Sequence, residues 1–365
     1  MSPPQSKNVV IIGGGIVGTT TAYYLTRNPS YDPATHSIVL LEAVGIAAGS
    51  SGKGGGFIAS WATPRCIAPL SFKLHQDLAQ EHDGEKVWGF RTVHAAEIGI
   101  QAREPDGDRE EAGSDDRRSA LDWLFPGSVK AYKEIGIPAD TGQVHPQLFC
   151  KSIAELAKAA GVSIVFGTAT SINHDEGGSH VMSVTYTSQG AIHELPATDI
   201  LVAAGPWTAM LLPQVKLRAP KGHSIVVRPS RDEISPYILF PDIRSSTAIL
   251  SPDIYPRPSD ALNSFSTVYA SGPDYYDVAL PNLASDVTVE SEKVQDVWKA
   301  AKSVSQEIQD GTVITKQACY KAQIRKHEEN EEIGPLLGRW TSVAFGLRPD
   351  STNGESKMVR QSAWS

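Results

Sequence analysis

The order of apolar and polar positions sets out most of the elements. Asn8–Ile12 (NVVII) is almost wholly apolar, the pattern of a parallel strand buried on both faces. A glycine-dense turn follows, then a stretch with helical spacing that includes Ala22 and Leu25. Ser37–Leu41 reads as a second buried strand and ends at Glu42. Strand, glycine turn, helix and strand predict a βαβ unit at the N-terminus. Residues 70–90 predict a helix with Leu74, Leu78 and Ala79 on one side. Residues 103–118 are dense in charge and nearly free of apolar side chains, which predicts an exposed, mobile loop. Residues 148–160 have helical periodicity closed by Gly161, and VSIVF after it reads as a short buried strand. Ser183–Thr187 alternates like an exposed strand. Asp199–Ala204 is strand-like and ends in Gly205-Pro206-Trp207. Residues 215–320 mix short β-patterned segments with proline-rich turns, then show one amphipathic helix near Val287–Ile308.

Length and composition narrow the class. At roughly 100–200 residues per domain, 365 residues make two domains or one large domain with an insertion. With 41% hydrophobic and 20% charged residues, a mostly disordered chain is excluded. A net charge of −8 gives no basic surface for nucleic acid, so no nucleic-acid partner is expected. Cys66, Cys150 and Cys319 are far apart and form no CxxC pair. That removes zinc-ribbon and dithiol readings, and no metal is expected. So few cysteines fit a reducing compartment. No run approaches the ~18 apolar residues a membrane helix needs, and Val9–Val17 lacks the flanks of a signal peptide. The expectation is a cytoplasmic protein without a membrane span.

The chemistry starts at Gly13-x-Gly15-x-x-Gly18. Gly13 permits a tight turn out of the strand. Gly15 lets backbone approach a pyrophosphate. Gly18 lets the helix pack against the sheet, and the helix start, with Ile16 and Val17, offers N–H groups to the anion. Glu42 ends the next strand, near the ~20-residue spacing expected of the carboxylate that binds the ribose hydroxyl. An acid there disfavours a 2′-phosphate, and hence NADP. The motif alone leaves NAD and FAD both open. The next glycine-rich stretch, residues 47–60, contains Ser50, Ser51, Gly52 and Lys53. A flavin enzyme needs backbone close to the pyrophosphate and ring at that point; a flexible surface loop is the plain alternative.

The pieces VVIIGGGIVG, IVLLEA, AAGSSGKGGGF, GVSIVFGTAT and DILVAAGPWT occur in the order of a known family. The chain resembles the D-amino-acid oxidase, sarcosine oxidase and glycine oxidase superfamily, in a fungal cytosolic branch, from about residue 8 to residue 338. The resemblance implies an α/β fold: a discontinuous Rossmann-like FAD-binding domain and a β-rich substrate domain of the D-amino-acid oxidase type. The expected division is 1–70 and 145–215 for the FAD domain and 71–144 for a helical and loop excursion. Residues 216–320 would form the substrate domain, and 321–365 would return to the FAD domain. Gly13, Gly15 and Gly18 would meet the FAD pyrophosphate and Glu42 the adenosine ribose. Ser51, Gly52 and Lys53 would run toward the flavin, and Thr170 would lie beside adenine. Ala204, Gly205 and Trp207 would follow the strand beneath the cofactor, with Trp207 equally readable as a core aromatic. In sarcosine-oxidase-like members a cysteine in a segment like Gln317–Ala322 carries flavin covalently. Cys319 is therefore a possible attachment point, with Lys316, Lys321 and Arg325 as neighbours that would lower its pKa.

The implied reaction is oxidation of the C–N bond of a small amine or amino acid by hydride transfer to flavin, with O2 or another acceptor reoxidising it. No catalytic side chain is singled out. Arg65, Arg257 and Arg325 are candidates to meet a substrate carboxylate. The alternatives are a flavin-binding scaffold without turnover, for example in trafficking, and an NAD-dependent dehydrogenase. The resemblance holds through Ile333–Gly338 and then departs. A change of reading frame near Gly338–Val343 is expected to explain the polar tail, with weakened FAD binding and activity as its consequence.

Overall fold

The computed structural model describes residues 6–101, 121–244, 249–259 and 263–324. The charged segment 103–118, Arg325 and the tail after Gly338 lie outside the described residues.

A four-stranded parallel sheet carries the N-terminal half. Its order is β12 (Asp199–Val202), β1 (Lys7–Ile12), β2 (His36–Glu42) and β8 (Ser163–Phe166). Both faces of this sheet are covered, which explains the unbroken apolar runs. Ile11 and Leu40 pack with α1 (Ile16–Leu25) and α4 (Pro146–Ala159) through Ala22, Tyr23, Phe149 and Ile153. Val10, Ile12 and Leu41 pack instead with Val184 and Ala197 beneath an antiparallel meander. The meander comprises β9 (Thr168–His174), β10 (Val181–Ser188) and β11 (Ala191–Pro196). The α4 helix stops where Gly161 adopts a φ of 102°.

An eight-stranded sheet makes the second body. Along it run β19 (Thr312–Tyr320), β14 (Lys221–Arg228), β18 (Thr267–Tyr275), β17 (Asp253–Arg257), β15 (Tyr237–Arg244), β5 (His94–Gln101) and β6 (Val129–Gly136). The short β16 (Ile249–Leu250) pairs on β15. One face is buried under α6 (Ser291–Lys302) and α7 (Gln306–Gln309) through Val294, Val297, Ala301 and Ile308. The inner face carries Tyr255, Tyr269, Ile238 and Val93, with Phe57 packed against them. Phe57 belongs to a small sheet of β3 (Phe57–Ala59), β7 (Thr141–Gln143) and β4 (Arg91–Thr92) that lies between the two bodies. A two-stranded antiparallel pair, β13 (Leu217–Arg218) and β20 (Gln323–Ile324), joins the chain just before β14 to the chain just after β19.

Three sequence readings are corrected. Residues 71–144 are not merely a helical and loop excursion: β5 pairs in parallel with β15, so this segment supplies two strands of the large sheet. A strand that pairs across such a separation leaves no local signal. The helix over 70–90 is two helices, α2 (Ala68–Glu81) and α3 (Gly84–Trp88), because Asp83 takes a left-handed conformation between them. The amphipathic stretch over 287–308 likewise breaks before Ser305, whose hydroxyl accepts from Ile308 N to start α7.

Under α6 lies a buried polar knot. Lys221 and His223, each 2% exposed, both reach Glu290 at the start of that helix. Lys221 Nζ donates to Glu290 Oε1 at 2.5 Å. Partial burial opposes ionisation of Glu290, but the hydrogen bonds from Lys221 and His223 outweigh it and hold the carboxyl at about 2. Burial lowers His223 against the pull of Glu290. A carboxylate with a depressed folded pKa adds stability above its unfolded value and loses it as pH falls through its folded value. A histidine with a depressed folded pKa costs stability once the unfolded chain takes up its proton below its ordinary value. Both act in the same direction. The melting temperature is expected to drop as pH falls from about 7 to about 3, and Glu290→Gln to flatten that drop. Thermal melts across this range check it; equal slopes for the two chains would refute the assignment.

Candidate cofactor and substrate site

The turn after β1 is shaped by its glycines. Gly13 has a φ of 112°, donates to Leu41 O at 2.8 Å, and leaves 2.4 Å between an added Cβ and Ala203 O. A side chain at Gly18 would lie 1.8 Å from Gly13 O. These contacts fix α1 so that its N-terminus opens beside the ends of β1 and β12. No acidic residue occupies the first turn of α1 and no side chain caps it at Gly15. That leaves the positive end of the helix dipole to an incoming anion. Ser51 Oγ accepts from Ile16 N at 3.0 Å and so bridges the two glycine-rich segments.

Glu42 forms the far wall. Its Oε2 accepts from Gly14 N at 2.5 Å, and its Oε1 from Val44 N at 2.9 Å and Gly45 N at 3.2 Å. A carboxylate has about four lone-pair sites, so these three bonds orient it and leave a site on Oε2. The groove spans about 870 Å³, part of it open to solvent. Of the sequence-predicted residues, Gly13, Gly15, Glu42, Ser50, Ser51, Ala204, Gly205 and Trp207 line it together. Length, a donor-rich middle and a carboxylate wall suit a dinucleotide.

Other predicted residues lie elsewhere. Gly18 packs behind the turn, while Ile16 and Val17 form the helix start rather than the groove wall. Gly52 is pressed against Ala47 O, where an added Cβ would sit at 2.1 Å. Thr170 is outside the lining, and its hydroxyl donates to Thr185 O at 3.2 Å; Gly167, Thr168 and Ala169 face the groove instead. Trp207 is neither a free platform nor a simple core residue. Its ring borders Gly49, and Nε1 donates to Pro281 O at 2.7 Å. That bond holds a segment the sequence reading missed: Asn282, Leu283 and Ala284 line the groove. Nothing in the short run Asn282-Leu283-Ala284 after Pro281 distinguishes it from an ordinary loop.

The run Lys53–Gly56 turns away from the groove toward the large sheet. Lys53 Nζ donates to Ala318 O at 3.0 Å, and Gln317 Nε2 donates back to Lys53 O at 2.8 Å. Burial lowers the Lys53 pKa, with Cys319 opposing. Arg257, 6% exposed, donates Nη2 to Gly54 O at 2.5 Å and Nε to Gly55 O at 3.3 Å, and stacks over Tyr269 at 4.8 Å. An added Cβ on Gly55 would sit 2.0 Å from Tyr255. Arg257 is therefore committed to backbone carbonyls, and Arg65 is exposed. The described candidates for a carboxylate partner thus do not converge on one point.

Around this run the inner face is polar and titratable. Asp253 accepts from Ser271 Oγ at 3.2 Å, and burial raises its pKa. Lys321 pairs with Asp274 at 3.0 Å. Burial pushes the Cys319 thiol up; Lys321 and Lys53 pull it down without overcoming that, and Asp274 adds to the rise. Lys316 is exposed and takes no part.

The family described as DAO, FAD dependent oxidoreductase, matches residues 8–350. The chain belongs to this family. Its cofactor is FAD, which sets aside the NAD-dependent alternative. It is 31% identical over 332 residues to the provisionally named oxidoreductase C1F5.03c of Schizosaccharomyces pombe, covering 87% of this chain and 83% of that protein. It is 25% identical to the similarly named TDA3 of Saccharomyces cerevisiae, covering 91% and 85%. Glycine oxidase from Bacillus cereus shares the fold at a TM-score of 0.66 and 18% identity, over 87% of this chain and 83% of that one. Iminodiacetate oxidase from Chelativorans gives a TM-score of 0.65 at 18% identity, over 92% and 87%. Among the described residues no helix is long and apolar enough to cross a membrane, and no group of three or more His, Cys, Asp or Glu could hold a metal.

Proposed function

We propose that this oxidoreductase oxidises the C–N bond of a small amine or amino acid. The observation that carries the reading is the junction of two surfaces. The groove lining runs to Ser51, and two residues further on the loop 53–56 is bonded to the inner face of the large sheet, which carries Tyr255, Tyr269, Asp253 and Ser271. Glycine oxidase and iminodiacetate oxidase, named for the oxidation of amino compounds, share the overall fold. Bound FAD supplies the hydride acceptor. The chain's share is to hold and orient. Gly13, Gly15 and the α1 N-terminus receive the pyrophosphate, Glu42 the ribose, and Ser50 and Ser51 the stretch between. The reacting amine must be neutral, and we assign Asp253, the carboxyl on the sheet's inner face whose pKa burial raises, as the group that takes the proton of an incoming ammonium. O2 or another acceptor completes the cycle.

The test is anaerobic mixing of the FAD-loaded chain with a panel of amines, N-alkyl amines and amino acids. At least one class is expected to bleach the flavin band. A flavin that binds but that no amine reduces would leave the chain a flavoprotein scaffold instead.

A further inference from the structure

We infer that Arg257 is a positioning residue that locks the cofactor loop 53–56 to the substrate sheet, so that FAD binding and the order of the substrate face are coupled. The inference rests on the groove being the FAD site. The glycine run at 54–56 reads in sequence as a phosphate-approaching loop. In the structure, the loop carbonyls from Lys53 to Gly55 are held by donors from the other body: Gln317 Nε2 on Lys53 O, Arg257 Nη2 on Gly54 O, and Arg257 Nε on Gly55 O. The loop returns one bond, from Lys53 Nζ to Ala318 O. Gly56 continues the grip on the cofactor side, accepting from Val144 N at 2.9 Å. The glycines serve this clasp by closeness: Tyr255 fills the space where Gly55 would carry a side chain, and Val144 O lies 1.8 Å from a Cβ on Gly56.

Arg257 is the centre of the clasp for a geometric reason. Its planar fork meets two successive carbonyls at once, which a lysine ammonium cannot reproduce from one position. Its base is set by Tyr269 beneath it and by Arg91, which donates to the neighbouring Pro256 O at 2.5 Å. Arg91 is itself pushed down to about 10 by burial. At its other end the loop runs back through Gly52 and Ser51 to α1, where Ser51 Oγ meets Ile16 N. A ligand that orders the α1 turn and Ser51 therefore orders, through a few bonds, the strands β17 and β18. Coupling of this kind is reciprocal: a substrate that orders the sheet must tighten FAD by the same factor.

The test uses the full chain with FAD as probe, read by flavin-fluorescence titration and by hydrogen exchange. In the wild type, FAD is expected to protect residues 13–18 and 49–56 and also the remote strands 253–257 and 267–271. Arg257→Met is expected to keep protection at 13–18, lose it in the remote strands, and bind FAD about 10-fold more weakly. Arg257→Lys should restore part of both, and a simple packing role would not separate the two protections. If Arg257→Met fails to fold, Gln317→Leu removes one clasp bond and should lower remote protection alone. Wild-type FAD binding without remote protection would overturn the coupling and leave the cofactor site standing. Remote protection unchanged in the folded variants would overturn the role of Arg257. No FAD binding by the wild type would overturn the groove reading and this inference with it.

Discussion

Gly18→Ala is expected to abolish FAD binding at micromolar concentrations and to lower the melting temperature markedly. The new methyl would sit 1.8 Å from Gly13 O and 3.1 Å from Gly13 C. These are backbone atoms, so no side chain can swing aside. Gly13 itself has no room to retreat, because its N–H is held on Leu41 O at 2.8 Å and Ala203 O stands 2.4 Å from the place of its own Cβ. Either α1 moves off the sheet or the turn changes shape. The first loses packing of Ala22 and Tyr23, which are 0% and 1% exposed. The second displaces the donors the pyrophosphate needs. Overpacking typically costs about 1–3 kcal/mol, and a backbone clash belongs at the upper end. Each hydrogen bond to the charged pyrophosphate lost through misalignment adds a weakening of about 10- to 100-fold in FAD affinity. Gly45→Ala is the control, since a Cβ there meets nothing within 4 Å. It should melt and bind as the wild type does. Thermal melts and fluorescence titration decide; wild-type FAD affinity in Gly18→Ala would mean that the turn is not the cofactor cradle.

The parts of the fold legible in the sequence are those where backbone geometry restricts residue type. Gly13 and Gly18 are required by a positive φ and by close approach, and Glu42 is fixed by the end of β2. Three neighbouring residues thus record one βαβ site. The same principle misled at Gly52–Gly56. Close approach requires glycine there too, but Gly52 meets Ala47 O, Gly56 meets Val144 O, and Gly55 meets Tyr255 and Tyr269 of the large sheet; sequence cannot name the partner of a glycine. The parallel pairing of β5 with β15 was equally hidden, because Ala95 and Ile238 meet only through a long connection. The groove-lining segment at Asn282–Ala284 has no pattern of its own; Trp207, its anchor, reads equally as a cofactor-side residue and as a core aromatic. Function was therefore legible as far as the cofactor, while the substrate face depends on contacts that form only on folding.

Flavin is expected to leave the chain completely on denaturation, with nothing retained at Cys319. Covalent attachment needs a thiolate, and the thiolate fraction is set by the environment of the sulfur. Burial raises the Cys319 pKa above its ordinary value. The two nearby cations are both engaged elsewhere. Lys53 Nζ is turned to Ala318 O, and Lys321 Nζ is paired with Asp274, whose own charge acts against a thiolate. At neutral pH the thiol therefore stays protonated, and the attachment reading of the QACYKA segment loses its driving force. Acid precipitation of the FAD-loaded protein should leave a colourless pellet and a yellow supernatant. Cys319→Ala should behave identically and keep the same flavin content when native. A yellow pellet from the wild type and a colourless one from Cys319→Ala would show that bound cofactor activates this sulfur, and that the nearby lysines act on it more strongly than burial does.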